Sequence, residues 1–439
     1  MSIHRRSGLL SREGLACLLG LFALCPVARA QPAETVAAPV PVMTLEAAVH
    51  YALENNPALA ALRQQHGIAA ARVVIADTYP FNPILENRIQ GAEGPHSAGI
   101  TNRVPLEHIL VWEVEWRHQG HFRREGAAAA LSRTDWEIAY QEQTLAIQVI
   151  RAYVTLLYRQ EKLRLIEETV SFNQRLVDDL RKLVVAGRPP ADQIVAETEV
   201  LDTLDLVGAA QEAVTAARQD LYRALGIVTG PFEIEGSLEL PPTPWDPAAL
   251  TELAVTRRAD LQARRQAVAE AEANLHLVTA NRFGNPSVGP AYTYDPTGVN
   301  FIGAQINLPL PLVNTHRGDI LEARAEKAQA AFLLRQADVN VRQDVASALA
   351  RLDAAERRTG VIRSKILPQL REALDSLQKS FMAGRQGADL PRLIDVRRKV
   401  LRARDSYLDA LWSGRQARAD LLAAIGEPVL GLCTPLPQP

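Results

Sequence analysis

Ala186-Gly187-Arg188-Pro189-Pro190-Ala191-Asp192 returns later in the chain as Ala383-Gly384-Arg385-Gln386-Gly387-Ala388-Asp389, with five of seven positions identical at an offset of 197. A second pair of stretches follows in the same order. Asp220-Leu221-Tyr222-Arg223-Ala224-Leu225-Gly226 matches Asp420-Leu421-Leu422-Ala423-Ala424-Ile425-Gly426 at four of seven positions, offset 200. Asn82-Pro83 recurs as Asn285-Pro286, offset 203. Matches in one order at nearly one offset mark an internal duplication. Its seam is the proline-rich stretch Leu240-Pro241-Pro242-Thr243-Pro244-Trp245-Asp246-Pro247, which suits neither a helix nor an inner strand.

Working outward from the two Ala-Gly-Arg breaks, each is preceded by a segment with almost nothing to stop a helix. Residues 120–186 contain no proline and one internal glycine, Gly126; residues 318–383 contain only Gly360 and Pro368 as breakers. Each segment as one helix would be about 100 Å long. A globular core has no use for that length, whereas a coiled coil or a helical tube does. Val149, Leu156, Leu163, Val170, Val177 and Val184 are spaced by seven without a miss. A companion seam runs through Leu145, Ala152, Arg159, Ile166, Asn173 and Leu180, with Arg159 and Asn173 as polar interruptions. This spacing predicts knobs-into-holes packing. Beyond the second break, Leu393, Val400 and Tyr407 run beside Ile394, Leu401 and Leu408, so that helix has neighbours on more than one side.

Between the helices lie segments of period two. Leu110, Trp112, Val114 and Trp116 alternate with Val111, Glu113, Glu115 and Arg117; Ile302, Ala304, Ile306 and Leu308 alternate with Phe301, Gly303, Gln305 and Asn307. Tyr292 and Tyr294 alternate with Ala291 and Thr293, while Ile84 to Gln90 has mixed faces at Arg88 and Ile89. About ten residues per strand with aromatics on the apolar face fits a tilted strand crossing a bilayer. A half-buried soluble sheet gives the same alternation, and topology separates the two. A membrane sheet must close, because open edges leave backbone groups unpaired in lipid. Four strands in one chain are too few to close, and a symmetric trimer supplies twelve.

The N-terminus reads as a secretory signal peptide over residues 1–30. Arg5, Arg6 and Arg12 precede an apolar run from Gly14 to Val27, and Ala28-Arg29-Ala30 places small residues where a signal peptidase cuts. Leu24 before Cys25 is not the small residue a lipoprotein signal needs. Cys433 is then the one cysteine left, so no internal disulfide and no cysteine metal site is expected. No other stretch offers 18 apolar residues free of charge, so no transmembrane helix is expected. The composition, 47% hydrophobic and 22% charged, excludes wholesale disorder, and a formal charge of −2 argues against a general nucleic-acid binder.

The expected organisation is a first repeat over 31–240, with strands at about 83–92 and 108–117 and helices at about 120–186 and 191–226. The second covers 241–439, with strands at about 286–295 and 300–309 and helices at about 318–383 and 388–426. The fold class is mainly α with a small β part. Trp112, Val114, Trp116, Ile302 and Ile306 are expected to face lipid, and Glu113 and Glu115 the lumen. No nucleophile–base–acid set and no phosphate loop stands out, so no enzyme and no cofactor is expected. His118 and His121, with His108 nearby, read as solvated surface rather than a metal site.

The chain resembles the TolC-like outer-membrane efflux family. The resemblance is carried by Thr44-Leu45-Glu46-Ala47-Ala48 running to Asn55-Asn56-Pro57-Ala58-Leu59, by the Ala-Gly-Arg breaks, and by Leu308-Pro309-Leu310-Pro311-Leu312 through Arg317-Gly318-Asp319-Ile320. It implies a homotrimer in the outer membrane of a Gram-negative-type cell: a 12-stranded β-barrel joined to an α-helical barrel through the periplasm. It also implies a periplasmic adaptor (membrane fusion protein) and an inner-membrane efflux pump as partners. The opening helix and the Arg317-Gly318-Asp319-Ile320 stretch are most similar to the cobalt-zinc-cadmium, heavy-metal branch. The chain departs from the family pattern after Gly384, reaching Asp395-Val396 later than expected, with Pro391 in the first turn of the following helix. The function expected is a passive export duct, with Gly187, Arg188, Gly384 and Arg385 at hairpin tips that meet the adaptor. The alternatives are a periplasmic coiled-coil adaptor or structural protein of an export complex, and a secreted enzyme with a helical core.

Overall fold

A computed structural model describes residues 42–101, 104–185, 191–230, 232–239, 244–383 and 389–427. The expected signal peptide, the four tip residues Gly187, Arg188, Gly384 and Arg385, and Cys433 lie outside the described residues.

The chain begins with strand β1 (Val42–Met43), helices α1 (Leu45–Asn55) and α2 (Pro57–Asp77), and the hairpin of β2 (Ile84–Ile89) and β3 (Leu106–Glu113). The long helix α3 (Gln119–Val185) and its return α4 (Ala191–Leu225) follow. The same order then recurs: β4 (Glu233–Ile234), α5 (Pro247–Arg257), α6 (Ala259–Asn281), and the hairpin of β5 (Ser287–Tyr294) and β6 (Asn300–Asn307). It ends in a long helix in two parts, α7 (Arg317–Val361) and α8 (Leu367–Met382), and the return α9 (Leu390–Ile425). The protein is thus mainly helical with a small sheet. β1 and β4 pair in parallel as a short ribbon that ties the starts of the two halves together.

Local chemistry sets most of the joints alike in both halves. Thr44 and Asp246 cap α1 and α5 through their side-chain oxygens, and Asn56 caps α2 just ahead of Pro57. α4 and α9 both stop on a left-handed glycine, Gly226 (φ 77°) and Gly426 (φ 81°). Each glycine abuts the elbow between the two short helices of its own repeat. A Cβ on Gly226 would lie 2.8 Å from Pro57 and 3.3 Å from Asn56, and one on Gly426 would lie 3.2 Å from the Arg258 backbone. The Asn56 amide also donates to the Ala224 carbonyl, while Arg258 is buried between Asp260 (2.6 Å) and Asp344 (2.8 Å). The elbow of each repeat therefore sits on the end of that repeat's return helix.

The core is built along α3. Val149, Leu156, Val170 and Val177 of the heptad seam are buried, the first two in a large apolar cluster with α1, α4, α5, α7 and α9. A second cluster near the hairpin ends joins Leu176, Val177 and Leu180 to Phe381, Leu390 and Leu393. Asn173, a polar interruption of the companion seam, is buried and donates to Thr203 Oγ1 of α4 at 2.9 Å, which fixes the register of that pair. α3 packs against α4 on one side and α9 on the other, and α9 packs in turn against α7 and α8. The wall runs α4–α3–α9–α7/α8.

The first strand is shorter than the expected 83–92 and the second begins two residues early, and two further differences bear on the site. The second strand ends at Glu113, so Val114, Glu115 and Trp116 lie beyond it. Val114 still donates its N–H to the Pro286 carbonyl at 2.8 Å, and from Glu115 onward side-chain bonds at the strand–helix junction take over. The helix expected over 318–383 is interrupted by a five-residue π-turn, Ile362–Ile366, next to Pro368, whose missing N–H cannot complete the α-helical ladder.

Candidate functional site

The four longer strands form one antiparallel sheet in the order β2-β3-β5-β6. Its central pair, β3 with β5, joins the two halves of the chain, and its outer strands β2 and β6 have free edges among the described residues. The register sorts the faces. Trp112 opposes Val288, which opposes Ile306; His108 opposes Tyr292, which opposes Ile302. Trp112, Ile302 and Ile306 therefore share a face with Leu85, Leu110, Tyr292 and Tyr294. The opposite face carries the charged side chains Glu86, Arg88, Glu107 and Glu113 with Gln305 and Asn307, interspersed with Ile84, Ile109, Val111 and Phe301, while Asn87, His108 and Asn300 are the polar members of the first face. Arg88 and Glu107 pair across it at 2.8 Å.

Two residues let the central pair approach. The β3–β5 ladder skips at Leu110 and Val111, where Pro290 has no N–H to give. At Gly289 the backbones come so close that a Cβ would overlap the Leu110 carbonyl oxygen.

Below the sheet the chain turns into the long helices through a polar junction. Asn285 donates to Glu113 Oε1 at 3.0 Å and accepts from Gln119 Nε2 at 2.6 Å. Gln119 is itself buried and accepts from the Arg117 N–H. Glu115 is held by Arg123, which also donates to the Ala76 carbonyl. Trp116 donates through its indole N–H to the Gly284 carbonyl at 2.8 Å. Both long helices start after a histidine in left-handed conformation, His118 (φ 60°) and His316 (φ 51°). His121 pairs with Glu125 at 3.1 Å, and His108 bonds Asn87 at 2.6 Å and stacks on Tyr292. His108 and His121 thus have separate partners, and His118 enters through its backbone at the helix start. Among the described residues no three His, Cys, Asp or Glu side chains gather as a metal site.

Along the helical wall, ion pairs stitch the two repeats together. Lys162 of α3 bridges Asp405 (2.8 Å) and Asp409 (3.1 Å) of α9. Burial alone would lower the Lys162 ammonium, but hydrogen bonds to Asp405, Tyr158 and Asp409 outweigh it and raise its pKa. Burial would raise Asp409, but its bonds to Tyr158 and Lys162 prevail and lower it. Arg398 pairs with Glu199 of α4, and Asp420 holds both Arg151 and Arg351. Beside them Arg397 lies over the Phe172 ring at 3.7 Å, its pKa lowered to about 10 by burial that Glu199 only partly offsets.

Sequence reasoning missed the Asn285–Gln119–Glu113 junction, although the repeated Asn-Pro pair marked it. It also missed the basic groove beside the π-turn, which Gly360 and Pro368 alone signalled.

No family model matches the sequence, and no curated protein matches it. Solved structures do. A membrane protein from Pseudomonas aeruginosa superposes with a TM-score of 0.71 at 20% identity, covering 87% of this chain and 92% of that one. The open state of the MtrE outer membrane channel of Neisseria gonorrhoeae gives 0.69 at 19% identity, covering 88% and 89%. The outer membrane protein VceC of Vibrio cholerae gives 0.70 at 14% identity, covering 88% and 96%. The chain has the fold of these three proteins.

Proposed function

We propose that this chain is one of three identical subunits of an outer-membrane efflux channel, a passive duct that carries cargo from a periplasmic adaptor and an inner-membrane pump to the exterior. The observation that carries this reading is the sheet: one mostly apolar face, one face that holds all of its charged side chains but His108, and two outer edges unpaired among the described residues, mounted on a wall of long helices. Such a sheet is satisfied in lipid only when copies close it into a barrel, and four strands from each of three chains make twelve. No helix among the described residues is long and apolar enough to cross a membrane. The likeness to solved outer-membrane channels supports the same reading.

In the assembled duct Trp112, Ile302 and Ile306 face lipid, with Val114 and Trp116 continuing their line at the barrel base. Glu113 faces the lumen, and Glu115 stays at the junction with Arg123. The Ala-Gly-Arg turns with Gly187, Arg188, Gly384 and Arg385 form the tips that meet the adaptor. The chain performs no reaction of its own. Insertion into a planar lipid bilayer tests the proposal: the purified oligomer is expected to give stable steps of ionic conductance. A protein that leaves the membrane pellet in a high-salt wash and conducts nothing refutes it.

A further inference from the structure

The π-turn of the second long helix borders a groove of about 680 Å³ between α7/α8 and α9. Its floor is apolar, with Val361, Ile362, Ile366 and Leu370, and its rim carries four cations, Arg357, Arg358, Lys399 and Arg402. No carboxylate lines it. Arg357 and Lys399 are paired along their own helices with Asp353 and Asp395. Arg358 and Arg402 make no direct ion pair among the described residues, though their charge reaches Asp409 and Asp395. π-turns are costly and concentrate at functional positions.

The placement of the groove decides what it can meet. The β1–β4 ribbon and the loop after it lie on one side of the helical wall. Tyr153 of α3 donates to the Met43 and Glu235 carbonyls there, Tyr407 of α9 donates to Glu239, and Arg415 of α9 to the Leu238 carbonyl. At 3.6 residues per turn, Arg402 lies opposite the midpoint of Tyr407 and Arg415 on α9, and Lys399 and Ser406 are turned to the same side. Three walls closed into a tube have room for side chains inside, not for three ribbons with their loops. The ribbon side is therefore the outside and the groove opens into the bore.

We infer that this groove is a station for anionic cargo inside the duct, taking small organic or inorganic anions with phosphate, carboxylate or sulfonate groups, and that it disfavours free divalent metal cations. Three copies place a belt of arginines and lysines at one height of the bore. Rings of cationic side chains are how anion-conducting pores draw their ions, and planar guanidinium groups bind oxyanions with two hydrogen bonds at once. The apolar floor suits the carbon body of an organic anion. This inference rests on the duct proposed above.

The test uses the full-length trimer in a planar bilayer with pyrophosphate as the probe. Pyrophosphate is expected to reduce the KCl conductance of the wild type. In a Cys433→Ser background, Arg402→Cys is introduced and its thiol is modified after insertion, so that folding is not at issue. A negatively charged sulfonatoethyl thiosulfonate is expected to abolish the block and shift the reversal potential in a KCl gradient towards K⁺. The positively charged aminoethyl reagent is expected to restore both. A conducting wild type that pyrophosphate does not block, or a block indifferent to the charge placed at 402, overturns the anion station and leaves the duct standing. Absence of any conductance refutes the duct and this inference with it. Dissociation of the trimer by Arg402→Cys would show the groove to be a seam between subunits, which also overturns the inference.

Discussion

Gly289 sits where two backbones touch, and nothing larger than hydrogen fits between it and the Leu110 carbonyl. Gly289→Ala is expected to cost on the order of 3 kcal/mol or more, because relief requires parting the strands that join the two halves. The check is the fraction of protein recovered as oligomer from detergent extracts, expected to fall steeply; recovery at the wild-type level would mean the close approach is relieved cheaply. Ile302 makes the complementary case on the apolar face, where it is 86% exposed within one chain. Ile302→Arg is expected to cost about 2–4 kcal/mol if it lies near the bilayer midplane. Chemical denaturation in lipid vesicles reads this, and an unchanged midpoint would place that face away from lipid. Trp112, Ile302 and Ile306 were legible because strict alternation fixes a face. Val114, Glu115 and Trp116 were less so, because alternation in sequence continues past the point where side-chain bonds to Gly284 and Arg123 take over from the ladder.

At the scale of elements, the long helices were legible from what they lack. Without proline and with almost no glycine, nothing between Gln119 and Val185 terminates a helix, and the heptad of valines and leucines needs a partner along its length. The π-turn was not legible as such: proline signals a break, but whether it becomes a kink, a stop or a widened turn depends on the packing of Ile362 and Leu367 against α9. The ion pairs between α3 and α9 were invisible in sequence because their partners are some 240 residues apart. The Lys162–Asp409 latch has a definite pH dependence. Asp409 is lowered on folding, so its contribution is present above the ordinary carboxylate pKa of about 3.9 and is lost as pH falls through the lowered value. Lys162 is raised, so its contribution is complete below about 10.4 and is lost as pH rises through the raised value. Asp409→Asn is therefore expected to flatten the loss of stability as pH falls below about 4. At neutral pH it should cost about 1 kcal/mol, small because the carboxylate is partly solvated. Thermal melts followed by helical ellipticity across that range would settle it; a variant with the wild-type acid profile would contradict the latch.

The whole molecule is a duplicated wall with a two-faced sheet on top, and its energetics are incomplete in one copy. Among the described residues β2 and β6 have no partner along their outer edges, and Leu310, Leu312 and Val313 after the last strand are largely exposed. The duplication was readable from a handful of short matches because both repeats solve the same joints with the same residue types, glycine at the ends of α4 and α9 and asparagine-proline before the hairpins. The capping elbow was not, since Asn56 in one repeat is replaced by Arg258 in the other and the partners change from a carbonyl to two aspartates. Docking belongs to this scale as well. Changing Arg188 and Arg385 together to glutamate is expected to abolish export from cells while trimer and membrane insertion persist, read by accumulation of an efflux substrate; undiminished export would place docking elsewhere along the wall.

The central claim, that the free edges are closed by two further copies in a membrane, is tested most directly by the mass of the protein extracted from membranes in mild detergent, with bound detergent accounted for. The account predicts a single species of three chains with its strand content intact. A stable monomer with the same strand content would contradict it.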